Sequence, residues 1–216
     1  MKKLDDFEAL KLLKKFGISL VESEIVTTPE EAVDIAKKMG FPVVLKISSK
    51  DIIHKTDVGG VIVNLNTPED VRNGFEQIIS NVKRRYPEAK IDGVLVQRFL
   101  KDRTELVIGG KMDPQFGPVI MFGLGGIFVE VFRDVSFRIV PIAKNDAKEM
   151  IREIKAYPVL KGIRGKKPVN ISKLEDMLLK VSKLLWKNQN ILELDINPVL
   201  ADEKDALAVD VRIIVN

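Results

Sequence analysis

The chain has 216 residues, of which 45% are hydrophobic and 31% are charged, and its formal net charge at pH 7 is +4. Acidic and basic residues are interleaved and only 6% of residues are aromatic, which argues against a dedicated nucleic-acid-binding protein. The absence of cysteine excludes disulfides, thiolate catalysis and Cys-ligated metal sites. No apolar run reaches the roughly 18 residues of a membrane span, and the N-terminus lacks the apolar segment of a secretory signal. We therefore expect a cytoplasmic protein that does not contact the membrane.

The first half of the chain alternates amphipathic helices with apolar strands. Thr28-Pro29-Glu30-Glu31 and Thr67-Pro68-Glu69-Asp70 each match the start of a capped helix. Helices are expected over 3–15, 28–40 and 67–86, and strands over 20–26, 41–48, 59–65 and 92–100.

The second half is richer in strands. Strands are expected over 104–110, 117–122, 136–142, 191–201 and 206–215, with helices over 145–155 and 172–188. Ser172 with Glu175 resembles the cap of the last helix. The mixture predicts an α+β protein with largely antiparallel sheets. We expect an N-terminal helix plus a first lobe over 1–100 and a second lobe over 101–216.

Two residues of the first lobe combine charge with unusual surroundings. Lys46 lies inside the apolar run VVLKI, where alternation places it opposite Leu45 and Ile47. Because an unpaired buried ammonium is costly, Lys46 is either an exposed lysine on an edge strand, which the pattern alone favours, or a phosphate ligand. His54 is the single histidine of the chain, in a polar loop that runs into Gly59-Gly60. It is either merely exposed, or a general base or nucleophile that carries a phosphoryl group.

Three further motifs have both an ordinary and a functional interpretation. VQRFL (96–100) is a common strand pattern, but as an edge strand its backbone at Arg98 and Leu100 could pair with a purine. GLGG (123–126) is either a turn or a loop that lets phosphate approach the backbone. ELDIN (193–197) places alternate polar residues on one strand face, and a hairpin would bring Asp210 near Asn197. Such oxygens suit Mg²⁺, although a solvated strand face would look the same.

Taken together, several long segments resemble one known family. They are LKISSKDIIHKTDVGGV, DPQFGPVIMFGLGGIFVEVFRDVSFRIVPI, YPVLKGIRG, ELDINPV and AVDVRII. In this order they resemble the β subunit of archaeal-type ADP-forming acetyl-CoA synthetases. The resemblance covers about residues 7–214 and implies an ATP-grasp fold, with nucleotide held between two α+β lobes. It also implies the reaction acyl-CoA + ADP + Pi ⇌ acid + CoA + ATP, with Mg²⁺ and ATP or ADP bound.

The resemblance implies roles for residues of both lobes. His54 matches a histidine that relays the phosphoryl group, and Lys46 matches the lysine on the nucleotide phosphates. Arg98 and Leu100 fall at backbone positions that bracket adenine, and Gln97 stands where related proteins often have Glu.

In the second lobe, Asn197 and Asp210 match the Mg²⁺ ligands of the wider superfamily. Asp195 matches an acidic residue that steadies an incoming histidine segment. Glu105 matches an acidic residue of the nucleotide cleft, and Arg164 is expected to contact phosphate. The family implies an α subunit that carries the CoA-binding domain and the primary phosphohistidine, in an α₂β₂ assembly.

Two other functions fit the same residues. One is an ATP-grasp carboxylate ligase that passes an acyl phosphate directly to its acceptor and does not need His54. The other is a non-catalytic regulatory subunit that binds nucleotide but forms no phosphohistidine.

Overall fold

The computed structural model describes residues 1–52, 54–126, 129, 131–163, 165 and 167–216. The chain forms two compact units. The smaller unit comprises residues 5–7 and 21–101, and the larger unit comprises residues 1–4, 8–20 and 102–216.

The smaller unit is a four-stranded antiparallel sheet with two helices. Its strands β2 (Ser23–Val26), β3 (Val43–Ser48), β4 (Val61–Leu65) and β5 (Gly93–Arg98) are ordered β2-β5-β3-β4. The helices α2 (Pro29–Met39) and α3 (Pro68–Arg85) begin at the predicted caps, where Thr28 and Thr67 accept backbone hydrogen bonds from Glu31 and Asp70. Alternate residues of the strands, including Leu45, Ile47, Val94 and Val96, form one core with both helices.

The larger unit is built on a longer antiparallel sheet. Within the described residues it contains seven strands in the order β1-β11-β9-β6-β7-β8, with β10 paired to β9. The strands are β1 (Lys2–Lys3), β6 (Thr104–Asp113), β7 (Gly117–Leu124), β8 (Val135–Ile139), β9 (Ile191–Ala201), β10 (Ala206–Ala208) and β11 (Val211–Val215). The helices are α1 (Asp6–Lys15), α4 (Lys144–Glu153), α5 (Tyr157–Leu160) and α6 (Ile171–Lys187). Buried residues of α4, α5 and α6 form the core with one face of this sheet.

The N-terminal helix departs from the predicted division of the chain. Except for its first two residues, α1 belongs to the larger unit rather than to the first lobe. Ala9, Leu13 and Ile18 are buried in the core of the larger unit. Proximity in sequence therefore misassigned the helix, because its apolar stripe packs against residues far along the chain.

Two local predictions were also wrong. Helix α6 is capped by Asn170, whose side chain accepts a hydrogen bond from the Lys173 amide at 3.2 Å, and Ser172 lies inside the helix. The expected strand over 206–215 is divided into β10 and β11, both of which pair with β9. At the division, the amide of Asn197 donates to the Asp210 carbonyl and that of Val209 donates to the Pro198 carbonyl.

None of the helices in the described part of the chain is both long enough and apolar enough to span a membrane.

We expect Leu13→Ala to test the packing of α1. The Leu13 side chain is fully buried in the larger unit, so its truncation should lower the free energy of unfolding by about 2–5 kcal/mol. Urea unfolding measures this loss. The matched variant Lys14→Ala, at an exposed position of the same helix, should change the value by less than about 0.5 kcal/mol. Equal effects of the two substitutions would contradict the assigned packing.

Candidate active site

His54 projects from a loop whose backbone is anchored before and after it. Before the histidine, the Ser49 hydroxyl donates to the Lys90 carbonyl at 2.7 Å, and the Asp51 carboxylate accepts from the Lys90 amide at 2.8 Å. After the histidine, the Gly60 amide donates to the Lys55 carbonyl at 2.8 Å. The imidazole itself is exposed, so a fixed backbone presents an accessible side chain.

Helix α3 and the start of α1 provide further anchors for this loop. Asn81 donates from its side-chain amide to the Gly59 carbonyl at 3.1 Å, and the Arg85 guanidinium donates to the Asp57 carbonyl. The Lys55 ammonium donates to both carboxylate oxygens of Asp6, at 3.1 and 3.2 Å. Sequence reasoning missed these anchors, because the partners lie 22 to 49 positions away and no motif links them.

The two glycines after His54 are required by the space around them. Gly59 has a positive φ of 66°, and a Cβ there would lie 2.7 Å from the Asn81 side chain. A Cβ on Gly60 would lie 2.6 Å from Ile47 and 2.9 Å from the Lys55 carbonyl oxygen. The Gly-Gly pair therefore allows the loop to pack closely against α3 and β3.

Lys46 is not an exposed lysine. Strand β3 lies between β5 and β4, where Lys46 pairs with Leu95 on one side and Val61 on the other. Its relative exposure is 6%, so the interpretation as a solvated edge residue is wrong. Because Leu45 and Ile47 face the helices, Lys46 lies on the opposite face of the sheet.

Gln97 shares this face with Lys46. Val44 pairs with Gln97 and Lys46 pairs with Leu95, and paired residues lie on the same side of an antiparallel sheet. The Gln97 side chain is buried, with 2% exposure. The smaller unit thus brings together one cation and one amide on the sheet face away from its helices.

The residues expected to bracket adenine lie at the end of β5, which is an interior strand and not an edge strand. The Arg98 amide donates to the Glu22 carbonyl at 3.0 Å, and its guanidinium binds the Glu22 carboxylate at 2.7 Å. The backbone leaves the ladder after Arg98, although Phe99 still donates to the Pro42 carbonyl at 3.2 Å. Leu100 follows the strand and is half-buried. Only the backbone beyond the paired residues is suited to contact a ligand.

In the larger unit, β9 carries the predicted acidic and amide residues on one face. Leu194 and Ile196 are buried in the core, whereas Glu193, Asp195 and Asn197 point to the other side. The backbone hydrogen bond from Asn197 to Asp210 is 3.1 Å long. The hairpin therefore brings these two residues close together, as the sequence predicted.

Arg212 is a neighbour of the acidic residues that sequence reasoning missed. It pairs across the sheet with Asp195, and its guanidinium binds the Glu193 carboxylate and lies 4.0 Å from that of Asp195. Burial raises the pKa of Asp195, with Glu193 and Asp210 acting in the same direction and Arg212 opposing them. The alternation in VRIIV indicates which residues share a strand face with Arg212. The register between β11 and β9 is also needed to place Arg212 beside Asp195.

These residues border an open depression within the larger unit, of about 440 Å³. Two glycines of β6, Gly109 and Gly110, lie in its floor. Its lining also includes Lys111, Val119, Met121, Phe137, Glu193, Leu194, Asp195 and Arg212. It combines half-exposed apolar side chains with charges of both signs.

Glu105 lies at the start of β6, with an exposed side chain. Its carbonyl accepts a hydrogen bond from the Gly125 amide at 2.8 Å, and a Cβ on Gly125 would lie 3.2 Å from the Glu105 backbone. Because a side chain at position 125 would crowd the Glu105 backbone, this contact explains why the third residue of GLGG is glycine. Arg164 lies outside the described residues.

The oxygen donors of Asn197 and Asp210 fit a Mg²⁺ ion that shares its remaining positions with phosphate and water. Among the described residues, no group of three or more His, Asp or Glu side chains could hold a metal ion by itself.

Comparison with known proteins identifies the family. The model of the ATP-grasp domain matches residues 1–215. The β subunit of ADP-forming acetate–CoA ligase I from Pyrococcus furiosus is 50% identical over 207 residues, covering 96% of this chain and 89% of the relative. The chain belongs to the ATP-grasp family of ADP-forming acetate–CoA ligase β subunits. The predicted ATP-grasp fold and the predicted family are thereby confirmed.

A longer relative and two solved structures extend the comparison. ADP-forming acetate–CoA ligase I from Archaeoglobus fulgidus is 49% identical over 96% of this chain, which spans only 30% of that relative. Acetyl-coenzyme A synthetase 1 of Ca. Korarchaeum cryptofilum, in complex with coenzyme A and Ca-AMPCP, has a TM-score of 0.96 and 48% identity. The match covers 100% of this chain and 94% of that one. With Mg-AMPPCP and its phosphohistidine segment pointing towards the nucleotide binding site, the same synthetase has a TM-score of 0.87 and 45% identity, covering 100% and 93%.

We expect Gly60→Ala to disturb the His54 loop. The added Cβ would meet Ile47 and the Lys55 carbonyl, so the substitution should cost about 1–3 kcal/mol of unfolding free energy. It should also shift the ring resonances of His54, the single histidine. Thermal unfolding and NMR measure the two effects.

Gly74→Ala is the matched control, because its nearest new contact is a flexible Leu65 methyl at 3.3 Å. Within helix α3, alanine is favoured over glycine by about 1 kcal/mol. Unchanged His54 resonances are expected in this control. Unchanged resonances in Gly60→Ala as well would contradict the proposed need for glycine.

Proposed function

We propose that this chain is the nucleotide-binding β subunit of an ADP-forming acyl-CoA synthetase that acts on acetyl-CoA. The proposed reaction is acyl-CoA + ADP + Pi ⇌ carboxylic acid + CoA + ATP, with the phosphoryl group relayed through His54. The observation that carries the proposal is the exposed imidazole of His54 on a loop anchored on both sides. A relay residue must be accessible to a donor and an acceptor while its backbone keeps one position.

In the direction that consumes ATP, an imidazole nitrogen lone pair forms a bond to the γ-phosphorus. The bond from that phosphorus to the β,γ-bridging oxygen breaks, and its electron pair leaves on ADP. A neutral imidazole retains one N–H proton, which passes to solvent after the N–P bond forms. In the direction of ATP synthesis, a terminal oxygen of ADP attacks the phosphorus and the imidazole leaves.

Lys46 and the end of β5 are proposed to bind the nucleotide. Lys46 is a cation with 6% relative exposure, and a lysine ammonium binds phosphate oxygens as a compact point charge. Gln97 lies on the same sheet face, Arg98 is the last paired residue of β5, and the backbone of Leu100 lies beyond the ladder. We propose that the backbone at Arg98 and Leu100 brackets adenine.

In the larger unit, Asn197 and Asp210 are proposed to hold Mg²⁺, which when bound neutralises charge on the nucleotide phosphates. Glu105 is proposed to line the nucleotide cleft, and Arg164 is proposed to contact phosphate. Asp195 is proposed to steady the histidine segment of a partner, supported by its position on the face shared with Asn197.

The chain is proposed to act with an α subunit that supplies the CoA-binding domain and the primary phosphohistidine. Two features of the relatives support a partner. The Pyrococcus furiosus protein is named as a subunit, and the Archaeoglobus fulgidus protein carries the matched region in 30% of a longer chain. We propose an α₂β₂ assembly, which sedimentation of the co-expressed subunits would test.

We expect acid-labile, base-stable phosphate on the wild-type chain after incubation with Mg²⁺, γ-labelled ATP and a candidate α subunit. His54→Ala should reduce this label about a hundredfold or more, because no other imidazole is present. ATP affinity, measured in parallel by calorimetry, should stay within about threefold, since only the acceptor is removed.

The outcomes separate the competing functions. Acid formation from acyl-CoA that continues in His54→Ala at the wild-type rate would favour a direct-transfer carboxylate ligase. ATP binding without label in the wild type, under any condition, would favour a nucleotide-binding regulatory subunit. Either result would contradict the proposed relay.

We expect Asp210→Asn to raise the Mg²⁺ concentration for half-maximal labelling about tenfold or more, because a charged oxygen ligand is lost. A Mg²⁺ titration of the labelling rate measures this shift. Asp176→Asn, on an exposed part of α6 where the carboxylate pairs with Lys180, is the control and should leave the titration unchanged. An unchanged titration in both variants would exclude Asp210 as a metal ligand.

A further inference from the structure

The residue after His54 forms an ion pair that the proposed chemistry does not use. Lys55 and Asp6 are joined by two hydrogen bonds, and their side chains have relative exposures of only 9% and 7%. Both residues belong to the smaller unit, although they lie 49 positions apart. A lysine beside a phosphoryl acceptor would ordinarily be expected to contact phosphate, but this ammonium is already bound to a carboxylate.

Lys55 is held at its side chain and at its backbone. Its ammonium binds Asp6, while its carbonyl accepts the Gly60 amide and would lie 2.9 Å from a Cβ on that glycine. The peptide that joins His54 to Lys55 therefore has little freedom, and the direction of the imidazole depends on it. The neighbouring pair of Lys50 and Asp5 has a similar distance of 3.2 Å but is more accessible, because its side chains are 40% and 22% exposed.

Stability alone is a weak explanation for the buried pair. Removing two charges from water offsets most of their attraction, so apolar residues of similar size often stabilise a protein equally well. A buried pair with two hydrogen bonds does impose one geometry, because any other position leaves a charge unpaired in an apolar environment. Lys55 directly follows the single histidine, so the geometry that the pair imposes acts on the backbone next to His54.

We propose that Asp6 and Lys55 are positioning residues for His54. Their ion pair fixes the backbone from which the imidazole projects, and neither side chain contacts the transferred phosphoryl group. The inference rests on the proposed relay, and it adds Asp6, the first residue of α1, to the residues that support His54.

The test uses the chain together with its candidate α subunit. Asp6→Leu/Lys55→Met replaces the pair by apolar side chains and leaves no buried charge unpaired, so the fold should be retained. Asp6→Lys/Lys55→Asp reverses the pair and should restore it. Lys50→Met removes the exposed pair on the other side of His54 and is the matched control. Three quantities are measured: the ring resonances of His54, the initial rate of His54 phosphorylation and the dissociation constant of ATP.

In the apolar double variant, we expect shifted or broadened His54 resonances and a phosphorylation rate reduced about tenfold or more, because misplacement of a reacting group is costly. ATP affinity should stay within about threefold, since the pair does not bind nucleotide. The reversed pair should recover most of the rate and the original resonances. Lys50→Met should resemble the wild type in all three measurements.

Wild-type resonances and rate in the apolar double variant would overturn the proposal. So would parallel losses of rate and ATP affinity, which would show that the pair only maintains the fold. Failure of the relay itself gives a different result, namely no phosphorylation of the wild type. In that case the resonances still decide whether the pair positions His54.

Discussion

Antiparallel pairing between interior strands fixes the sheet face on which Lys46, Gln97 and Asp195 lie, opposite the buried apolar residues of the same strands. In β3 the residues on either side of Lys46 are locked into the core against α2 and α3, so the lysine must lie on the other face. In β9, Leu194 and Ile196 fix Asp195 and Asn197 in the same way. A shift of one residue in either register would exchange the two faces, burying the site and exposing the core. The packing of each apolar core therefore also determines which sheet face carries the polar candidate residues.

Each unit places ionisable candidate residues at partly or largely buried positions. Lys46 is nearly buried in one sheet. On the other sheet, Asp195 is partly buried, its pKa is raised chiefly by burial, and Arg212 lies within 4.0 Å. Arg212 also binds Glu193, and its buried Nε makes no hydrogen bond among the described residues. Buried or shifted ionisable groups of this kind are enriched at functional sites.

Much of this arrangement could be predicted from the sequence, for identifiable reasons. The Thr-Pro caps of α2 and α3 are local signals, and both were correct. The alternation in ELDIN predicted a polar face, and the hairpin predicted that Asn197 and Asp210 would meet. The family followed from long segments that resemble known proteins, a source of information that periodicity alone does not contain.

The errors share a physical cause, which is that local patterns do not encode distant contacts. The position of β3 between β4 and β5 buries Lys46, but the strand order depends on distant pairings, such as that of Val43 with Arg98. Helix α1 was assigned to the nearer lobe because its apolar stripe does not specify a partner. The cap of α6 was misplaced by two residues because Asn170 and Ser172 are both acceptable caps, and tertiary packing decided between them.

The proposed relay would place opposite demands on His54, and the contacts around its loop are consistent with both. A phosphoryl relay needs an imidazole that two different partners can reach, and exposure of the side chain satisfies that need. Exposure also removes the packing that would otherwise hold the residue in place. Neighbouring residues supply contacts instead: Asn81 and Arg85 donate to loop carbonyls, Ser49 donates to the Lys90 carbonyl, and Lys55 pairs with Asp6. The His54 side chain is thus accessible, while its described neighbours Asp51, Lys55, Asp57 and Gly59 are held by hydrogen bonds to distant residues.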